Sequence, residues 1–539
     1  MKRIICTLLV VVMLLGTMVG CGNEGTSNSN SEEKVTLTVG LPQNANITDY
    51  DNNALTKYFE EELNMELEIV PFATAASEYT QQFSLMCSSN EELPDVVVNF
   101  GGMSHSTINM YGQDGYILEL TDLIEKFGKN FKAQMEMLDE DEQWRINTGM
   151  KSAEDGGIYA MPSYASSDIP ELMQNKMMIN QQWLDKLGLK APTTIDELYT
   201  VLKAFATQDP NGNGEADEIP MFAAADQDIT MYVINAFLYC NKSELFNVKD
   251  GKLFVAASAD EYREGLKYAN KLVAENLLSN MSYTVNRADA KAILSSSDQV
   301  AKVGIWCGHP ENSMSVDCKI LNQYEPLSPL GDATGKGGYG VLNANSLTYG
   351  AFITEHCENP EAAMKFLDAW YLDETVRRVR HGEPGTDWER TEGKSIYGTD
   401  SEIKIVNENA FFKGASTWGT FGPTIQRLEN HECIDQSDKD NLAGHTAIMF
   451  RKWYEDMQTW KQPEEVCRSL RYTDAETEEA DQAAWSSYIS EARTLFCTGV
   501  MNPNSDSDWN EYLAKLEEYG QSRILKIAQT VYDRQYKDK

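Results

Sequence analysis

Hydrophobic periodicity predicts that the chain begins as an α/β domain. Residues 35–39 alternate as in a strand, and residues 53–63 place apolar side chains on one helical face. A second strand at 67–70 and a second helix at 79–87 follow, and 94–98 contains a continuous apolar run typical of a parallel strand covered on both faces. This order predicts a doubly wound sheet, in which ligands lie beyond the carboxyl ends of the strands.

Helix-start signals recur further along the chain. Thr194 and Glu197 have capping-box spacing before an apolar stripe, and Pro360 is suited to the first turn of another helix. Helical periodicity returns at 509–516 and 524–531. We therefore expect helices beginning near residues 195 and 360 and two more at the end of the chain.

Size and charge exclude some classes of protein. A single core rarely grows beyond about 250–300 residues, so a chain of 539 residues predicts two or more lobes. The net charge of -37 repels phosphate backbones, which disfavours nucleic-acid binding. It also disfavours strongly anionic polymers, unless the binding cleft is locally basic. The one long apolar run is at the N-terminus, which excludes a polytopic membrane protein.

The N-terminus has the pattern of a secretory signal. Lys2 and Arg3 precede an apolar stretch over 4–19, and Met18-Val-Gly-Cys21 resembles the lipobox of bacterial lipoproteins, with Met in place of the usual Leu. We expect cleavage after residue 20, acylation (palmitate) of Cys21 and a flexible polar tether up to residue 34. The alternatives are an ordinary signal peptide with a chance Cys, or an uncleaved anchor. The lipoprotein interpretation places the protein on the extracellular face of the cytoplasmic membrane.

Eight cysteines remain beyond the signal peptide and Cys21, and none forms a CxxC pair, so the pattern supports neither a zinc site nor a thioredoxin motif. Cys307 and Cys318 are near enough in sequence for a local disulfide. Buried free thiols are the alternative for all eight.

One loop has the spacing of a calcium site. Oxygen-bearing side chains fall at loop positions 1, 3, 5 and 9, a glycine occupies position 6, and position 7 offers a carbonyl. Position 12 is Pro220 instead of Glu, and the acidic residue at position 10 is the natural replacement. A structural Ca²⁺ ion is predicted, with a solvated Asn-Gly turn as the alternative. The proposed ligands are Asp209, Asn211, Asn213, Glu215 through its carbonyl, Asp217 and Glu218.

Enzyme signatures are sparse. The chain has no GxSxG, HExxH or Walker sequence, and its six histidines are scattered. A glycosidase carboxylate pair always remains an alternative among 83 acidic residues. We expect no catalytic activity.

Several stretches taken together resemble the extracellular solute-binding proteins of bacterial ABC importers. The resemblance is to the large sugar-type (family 1) lipoproteins of Gram-positive bacteria, including alginate-type binding proteins with a similar calcium loop. The matching stretches are Leu93–Asp95, Asp155–Pro162, Met178–Gly188, Ala191–Thr194, 209–218, Asn359–Ala362, Gly382–Gly385 with Asp387-Trp388, and Thr498-Gly499.

The resemblance implies a type 2 periplasmic-binding-protein-like fold, with two discontinuous α/β lobes, a ligand cleft and a hinge. It assigns 35–165 and 328–375 to lobe 1, and 166–327 and 376–539 to lobe 2. It further implies a monomer that binds an oligosaccharide without catalysis and delivers it to permease subunits. The alternatives are a peptide or other polar solute as ligand, a surface polysaccharide-degrading lipoprotein, and a sensor subunit.

Aromatic side chains are the natural partners of sugar rings, whose C–H faces stack on them while hydroxyls need directional polar groups. Core packing is the alternative for each aromatic. The candidate ligand-binding residues are Tyr164, Trp306, Trp388 and Trp418, with Asp168 and Glu383 as polar partners.

Overall fold

The computed structural model describes residues 34–89, 91–241, 245–295, 299–315, 318–342, 347–395, 398–407, 415–419, 422–435, 442–468 and 470–536. The predicted signal peptide and Cys21, with the tether up to residue 33, lie outside the described residues. Val35–Lys539 form one compact unit. Among the described residues no helix is both long enough and apolar enough to cross a membrane.

Strands occur throughout the first two thirds of the chain and become short after it. In chain order they are β1 Val35–Pro42, β2 Met65–Phe72, β3 Val96–Val98, β4 Met161–Ala165, β5 Met177–Asn180, β6 Ile219–Ala223, β7 Phe246–Lys249, β8 Lys252–Val255, β9 Val303–Cys307, β10 Tyr324–Pro326, β11 Leu347–Ile353, β12 Trp388–Arg390, β13 Ile403–Ile405, β14 Ile425–Gln426 and β15 Ile434–Asp435.

The helices pack around these strands and form nearly all of the C-terminal part. In chain order they are α1 Ala54–Leu63, α2 Ala76–Ser89, α3 His105–Gln113, α4 Thr121–Phe127, α5 Lys129–Glu136, α6 Glu140–Met150, α7 Gln181–Leu187, α8 Ile195–Thr207, α9 Ile229–Ile234, α10 Asp260–Ala274, α11 Arg287–Leu294, α12 Pro310–Ser313, α13 Pro360–Ala369, α14 Asp373–His381, α15 Glu429–Glu432, α16 Leu442–Met457, α17 Asp474–Ala480, α18 Ala483–Thr498, α19 Asp506–Glu518 and α20 Gln521–Gln535.

Local signals account for several helix starts. The Thr194 side chain accepts a hydrogen bond from the Glu197 backbone N–H, and α8 begins at the next residue. In a capping box the Glu197 carboxylate would accept a hydrogen bond from the backbone N–H of Thr194. Here its strongest bonds come from the backbone N–H and the hydroxyl of Thr193. The helix predicted near residue 360 begins at Pro360. These predictions are confirmed because capping is decided by neighbouring residues.

The first sheet has six strands in the order β14-β4-β11-β3-β1-β2. β1 is parallel to β2 and β3, and only β11 runs antiparallel to its neighbours β3 and β4. Val96 and Val98 pack into the core on one face while Val97 packs into the core on the other. The apolar run therefore arises because both faces of this strand are covered, as predicted.

The second sheet has four strands in the order β10-β5-β9-β6. β6 and β9 are parallel, while β5 runs antiparallel to both β9 and β10. Its core combines residues 173–330 with helical residues 449–528. The C-terminal helices therefore complete the lobe built on this sheet.

The lobe boundary predicted at residue 375 needs correction. Ala415, Trp418 and Ile425 belong to the core of the first sheet, and β14 is one of its strands. The third passage of the chain between lobes therefore lies after Gln426 and before Met449, which packs in the second core. Helix α14 remains with lobe 1 because its Val379 packs in that core, whereas Trp388 and Ile403 belong to a small separate core. Leu330 packs in the second core, slightly beyond the predicted crossing.

Candidate functional site

Two connections join the carboxyl edge of the first sheet to the carboxyl edge of the second. The first connection, residues 166–176, runs from the end of β4 to the beginning of β5. The second connection leaves β10 after Pro326 and reaches the beginning of β11 at Leu347. Because β5 and β11 run opposite to the parallel strands of their sheets, both connections join one carboxyl edge to the other. Open α/β sheets bind ligands at such edges.

The start of the first connection is held by Glu142 of α6. Its Oε1 atom accepts hydrogen bonds from the Tyr164 hydroxyl at 3.0 Å, the Ser166 hydroxyl at 2.6 Å and the Ser167 backbone N–H at 3.2 Å. Three donors satisfy one buried carboxylate, which offsets the cost of removing it from water. Tyr164 therefore positions the connection and is not exposed to a ligand.

The middle of the first connection is held by a cluster of charged and imidazole groups. Glu171 Oε1 lies 3.0 Å from Nδ1 of His431, and Glu171 Oε2 lies 3.6 Å from Arg380 of α14. Burial by itself raises the pKa of the Glu171 carboxyl, but His431 and Arg380 together hold that pKa well below its usual range. This cluster links the first connection to the elements around β14 and α15.

The four predicted aromatic ligands lie in cores. Tyr164, Trp306, Trp388 and Trp418 are each at most 4% exposed. Trp306 packs edge-on against Tyr324, and Trp388 donates its indole N–H to the Gly382 carbonyl oxygen. In this structure protein covers the faces of these rings, so they offer no accessible surface on which a sugar could stack.

Trp418 shows the reason for this burial most clearly. Its ring packs at 5.6 Å from Trp370 and 6.4 Å from Phe59, measured between ring centroids. Its indole N–H donates to the Thr56 hydroxyl of α1 at 2.9 Å. The polar part of the side chain is therefore satisfied inside the lobe 1 core.

The two predicted polar partners differ in accessibility. Asp168 is exposed on the first connection. Glu383 is half-buried and accepts from Arg378 at 2.6 Å, although burial raises its pKa. Asp168 is therefore available to a ligand at the carboxyl edges, whereas Glu383 is engaged in an ion pair.

An aromatic group beside the second connection escaped the sequence analysis. Trp460, just after α16, is half-buried and covers Gly340, where an added Cβ would meet the indole at 2.1 Å. The buried indole nitrogen of Trp460 has no hydrogen-bond partner. Tyr339 lies edge-on to Tyr239 with Lys461 over its ring. No local pattern marks these residues, because they come from distant parts of the chain and meet only in the folded structure.

A cavity of about 220 Å³ opens at the carboxyl edge of the second sheet, and we call it the basic cavity. It is bounded by the ends of β6 and β9, the residue before β5, and helices α11 and α12. The residues that line it are Lys176, Ala224, Gln227, Arg287, Ala290, Lys291, Leu294, Cys307, His309, Asn312 and Ser313.

The predicted calcium loop connects α8 to β6. Asp209, Gly212 and Gly214 have positive φ, and the Asp209 carboxylate accepts from the backbone N–H groups of both glycines. Asn211 and Asn213 donate their side-chain amides to Asp217 Oδ1 at 3.0 and 3.1 Å. The loop thus folds inward around its own oxygen atoms, as a cation-binding loop does.

The acidic side chains of this loop are only partly paired with positive or hydrogen-bonding groups. Lys302 lies 2.8 Å from Asp217 Oδ2, but Glu218 Oε1 is buried without a hydrogen-bond partner. Burial, together with the charges of Asp209 and Asp217, raises the pKa of Glu218. A bound cation would supply the missing positive partner. Among the described residues, no group of three or more His, Cys, Asp or Glu side chains is placed so that it could hold a metal ion, so the three carboxylates of this loop do not converge on one point in the structure.

The eight cysteines beyond Cys21 are all buried free thiols. The predicted alternative of a Cys307–Cys318 disulfide is therefore not formed. Burial raises the pKa of most of them, including Cys240 to about 12, which makes them unreactive core residues.

Comparison with known proteins gives a consistent result. The sequence profile of the family described as bacterial extracellular solute-binding protein matches residues 44–376, more than half of the chain. The fructooligosaccharide ABC transporter substrate-binding protein FusA of Streptococcus pneumoniae serotype 4 is 26% identical over 96% of both chains.

Solved structures share the fold. The EF-hand mutant of S. pneumoniae FusA in complex with fructo-nystose superposes with a TM-score of 0.71 at 23% identity, covering 94% of this chain and 100% of that one. The HMO-binding, ABC-transporter-associated solute-binding protein of Bifidobacterium longum infantis gives a TM-score of 0.74 at 22% identity, with coverage of 94% and 100%. The two-lobed arrangement expected from the sequence is confirmed.

The burial of Trp418 predicts a structural role. Trp418→Ala should lower the free energy of unfolding by about 3–5 kcal/mol, because it removes a large core side chain. Trp418→Phe should cost less, since it retains ring packing and loses mainly the bond to Thr56. Chemical denaturation measures both. Saccharide affinity of folded Trp418→Phe should equal that of the wild type, and a variant with unchanged stability and lost affinity would restore Trp418 as a ligand residue.

The Glu171 cluster predicts a pH-dependent stability. Because the Glu171 pKa is lowered in the folded state, ionised Glu171 contributes stability above about pH 4.3, and this contribution is lost as the pH falls through the folded-state pKa. Glu171→Gln should therefore lower the melting temperature at pH 7, and the difference should shrink toward pH 2. Exposed Glu429→Gln is the control. Parallel melting curves for Glu171→Gln and wild type at every pH would contradict the pairing.

Proposed function

We propose, since the chain belongs to the bacterial extracellular solute-binding protein family, that it captures an oligosaccharide and delivers it to an ABC importer. The observation that carries the proposal is the pair of connections between the carboxyl edges of the two sheets. A ligand seated there is within reach of both lobes. No catalytic step is part of this function.

The ligand contacts follow from what is accessible at these edges. Trp460 and Tyr339 are partly exposed aromatic side chains beside the second connection, and the C–H faces of a sugar ring pack on aromatic rings. Asp168 on the first connection offers oxygen atoms to sugar hydroxyl groups. These residues replace the buried aromatics as the proposed binding surface.

Ligand capture is coupled to lobe movement in this proposal. The two connections and the third passage of the chain after Gln426 act together as the hinge, and closure around the ligand produces the surface that the permease subunits recognise. The protein acts as a monomer. Acylated Cys21 and the polar tether hold it at the extracellular face of the cytoplasmic membrane.

Relatives support an oligosaccharide over other solutes. FusA is named for fructooligosaccharides and was solved with fructo-nystose, and the B. longum infantis protein is named for HMO. Both names refer to short sugar chains, although their chemistry differs. We therefore propose an oligosaccharide and not one particular sugar.

We also propose a structural Ca²⁺ in the loop between α8 and β6. The buried, unpartnered oxygen atom of Glu218 and the inward-facing carboxylates of Asp209 and Asp217 support it. Asn211, Asn213 and the Glu215 carbonyl complete the proposed ligand set. The EF-hand in the name of the FusA mutant adds support from a relative with the same fold. The ion would stabilise the beginning of β6, whose other end borders the basic cavity.

The binding function predicts ligand-dependent stability. Residues 34–539, incubated with a panel of oligosaccharides and peptides, should show a higher melting temperature with at least one oligosaccharide, since a ligand at a hundredfold excess over Kd adds about 2.7 kcal/mol. Mass spectrometry should recover the ligand unchanged. A shift with peptides alone, or steady release of shortened products, would contradict the proposal.

The proposed stacking surface can be tested with the same ligand. Trp460→Ala should weaken its affinity about tenfold, a loss of about 1.4 kcal/mol, because an aromatic stacking partner is removed. Tyr199→Ala on the outer surface of α8 is the control and should bind as the wild type does. Isothermal titration calorimetry measures both affinities. Equal affinity of Trp460→Ala and wild type would remove Trp460 from the site.

The calcium loop predicts that Ca²⁺ reverses the effect of a Glu218 substitution on the melting temperature. With Ca²⁺ present, Glu218→Gln should melt at a lower temperature than wild type, because it loses a ligand. In a chelator the same variant should melt higher, because it relieves the repulsion between buried carboxylates. Glu215→Gln is the matched control, since only its backbone carbonyl is proposed to bind. Melting curves that are identical with Ca²⁺ and with chelator would contradict the site.

A further inference from the structure

The basic cavity departs from the charge of the chain as a whole. The chain carries a net charge of -37, yet the charged residues that line this cavity are Lys176, Arg287 and Lys291, all of them basic. His309 adds an imidazole ring to the same wall. A local excess of positive charge focuses anions into a concave site.

The position of the cavity places it within the proposed binding region. Ala224 and Gln227 follow β6, Cys307 and His309 lie at the end of β9, and Lys176 is the last residue of the first connection. These residues form the carboxyl edge of the second sheet. The cavity of about 220 Å³ is smaller than the roughly 300–1,000 Å³ of a complete ligand pocket, so it is sized for one part of a larger ligand.

The positive charges are only partly balanced by the protein. Arg287 pairs with exposed Asp226. Lys176 donates to the Met173 carbonyl oxygen at 2.6 Å, and Lys291 Nζ lies 3.5 Å from the Glu311 carbonyl oxygen. In the described part of the chain, neither lysine forms an ion pair with a carboxylate.

The polar groups nearest to the cavity also favour an anion. Nδ1 of His309 is buried and has no hydrogen-bond partner. Burial lowers the pKa of His309 to about 4, an effect that neighbouring Lys176 increases and Glu171 opposes. Glu171 is an acidic group near His309, but its carboxylate already contacts His431 and Arg380. The cavity therefore has buried hydrogen-bond capacity as well as positive charge that Asp226 and Glu171 offset only in part.

We propose that the basic cavity is a subsite for an oxyanion carried by the saccharide, so that the ligand is an acidic oligosaccharide. This inference rests on the proposed binding function and specifies its substrate class. A carboxylate of a uronic or sialic acid residue and a sulfate ester share the required chemistry. Lys176 and Lys291 would pair with the anion, and His309 would donate a hydrogen bond from the wall.

The test compares acidic saccharides with their neutral counterparts by calorimetry on residues 34–539. The pairs are trigalacturonate and its methyl ester, 3′-sialyllactose and lactose, and lactose sulfate and lactose, with kestose as an unrelated neutral sugar. At least one acidic probe should bind at least tenfold tighter than its neutral counterpart. The pair that responds identifies the source of the anion, and its affinity should fall as salt concentration rises.

Variants assign the effect to the cavity. Lys291→Gln should weaken binding of the acidic probe about tenfold, and Arg287→Gln, at an exposed position, should weaken it to a smaller extent. Lys267→Gln on α10 removes the same charge outside the cavity and should bind as wild type does. Both cavity variants should leave affinity for the neutral counterpart unchanged.

Two outcomes would overturn the inference in different ways. If kestose or another neutral sugar binds as tightly as every acidic probe, or if both cavity variants retain full affinity for the acidic probe, the anion subsite is wrong while oligosaccharide binding stands. If no saccharide binds at all, both the subsite and the proposed function are wrong.

Discussion

The two connections between the carboxyl edges constrain the whole molecule. In each sheet the chain crosses to the other lobe at the carboxyl edge, which is also the edge where a ligand can bind. The contacts that hold the first connection are therefore also contacts of the binding region. Glu142 fixes its beginning and Glu171 its middle. In the proposed function, movement of the lobes and occupation of the site would be coupled because both depend on these few residues.

Acidic and basic side chains are distributed unevenly over this chain, although its net charge is strongly negative. Carboxylates cluster in the loop before β6, where Oε1 of Glu218 lacks a hydrogen-bond partner, and basic side chains cluster at the other end of the same strand around Lys176. A cation at one end and an anionic group at the other would each relieve a local imbalance. β6 would then connect a structural ion to the ligand subsite through a single rigid element.

Much of the fold was predictable, but little of the binding region was. Val96–Val98 and Pro360 could be interpreted from neighbouring residues alone, because strand burial and helix capping leave local patterns. Trp418 could not, because its partner Thr56 lies 362 positions away in the chain. An aromatic residue in a polar segment has the same local pattern whether it packs in a core or on a sugar. Trp460 and His309 were missed for the same reason, since neither has a local pattern that separates a binding role from packing.

A crystal structure of residues 34–539 with the oligosaccharide that gives the largest thermal shift tests the central claim most directly. The account predicts one saccharide chain between the carboxyl edges, in contact with Trp460 and with residues of both lobes. A saccharide bound to the outer helices of one lobe, away from both connections, would contradict it.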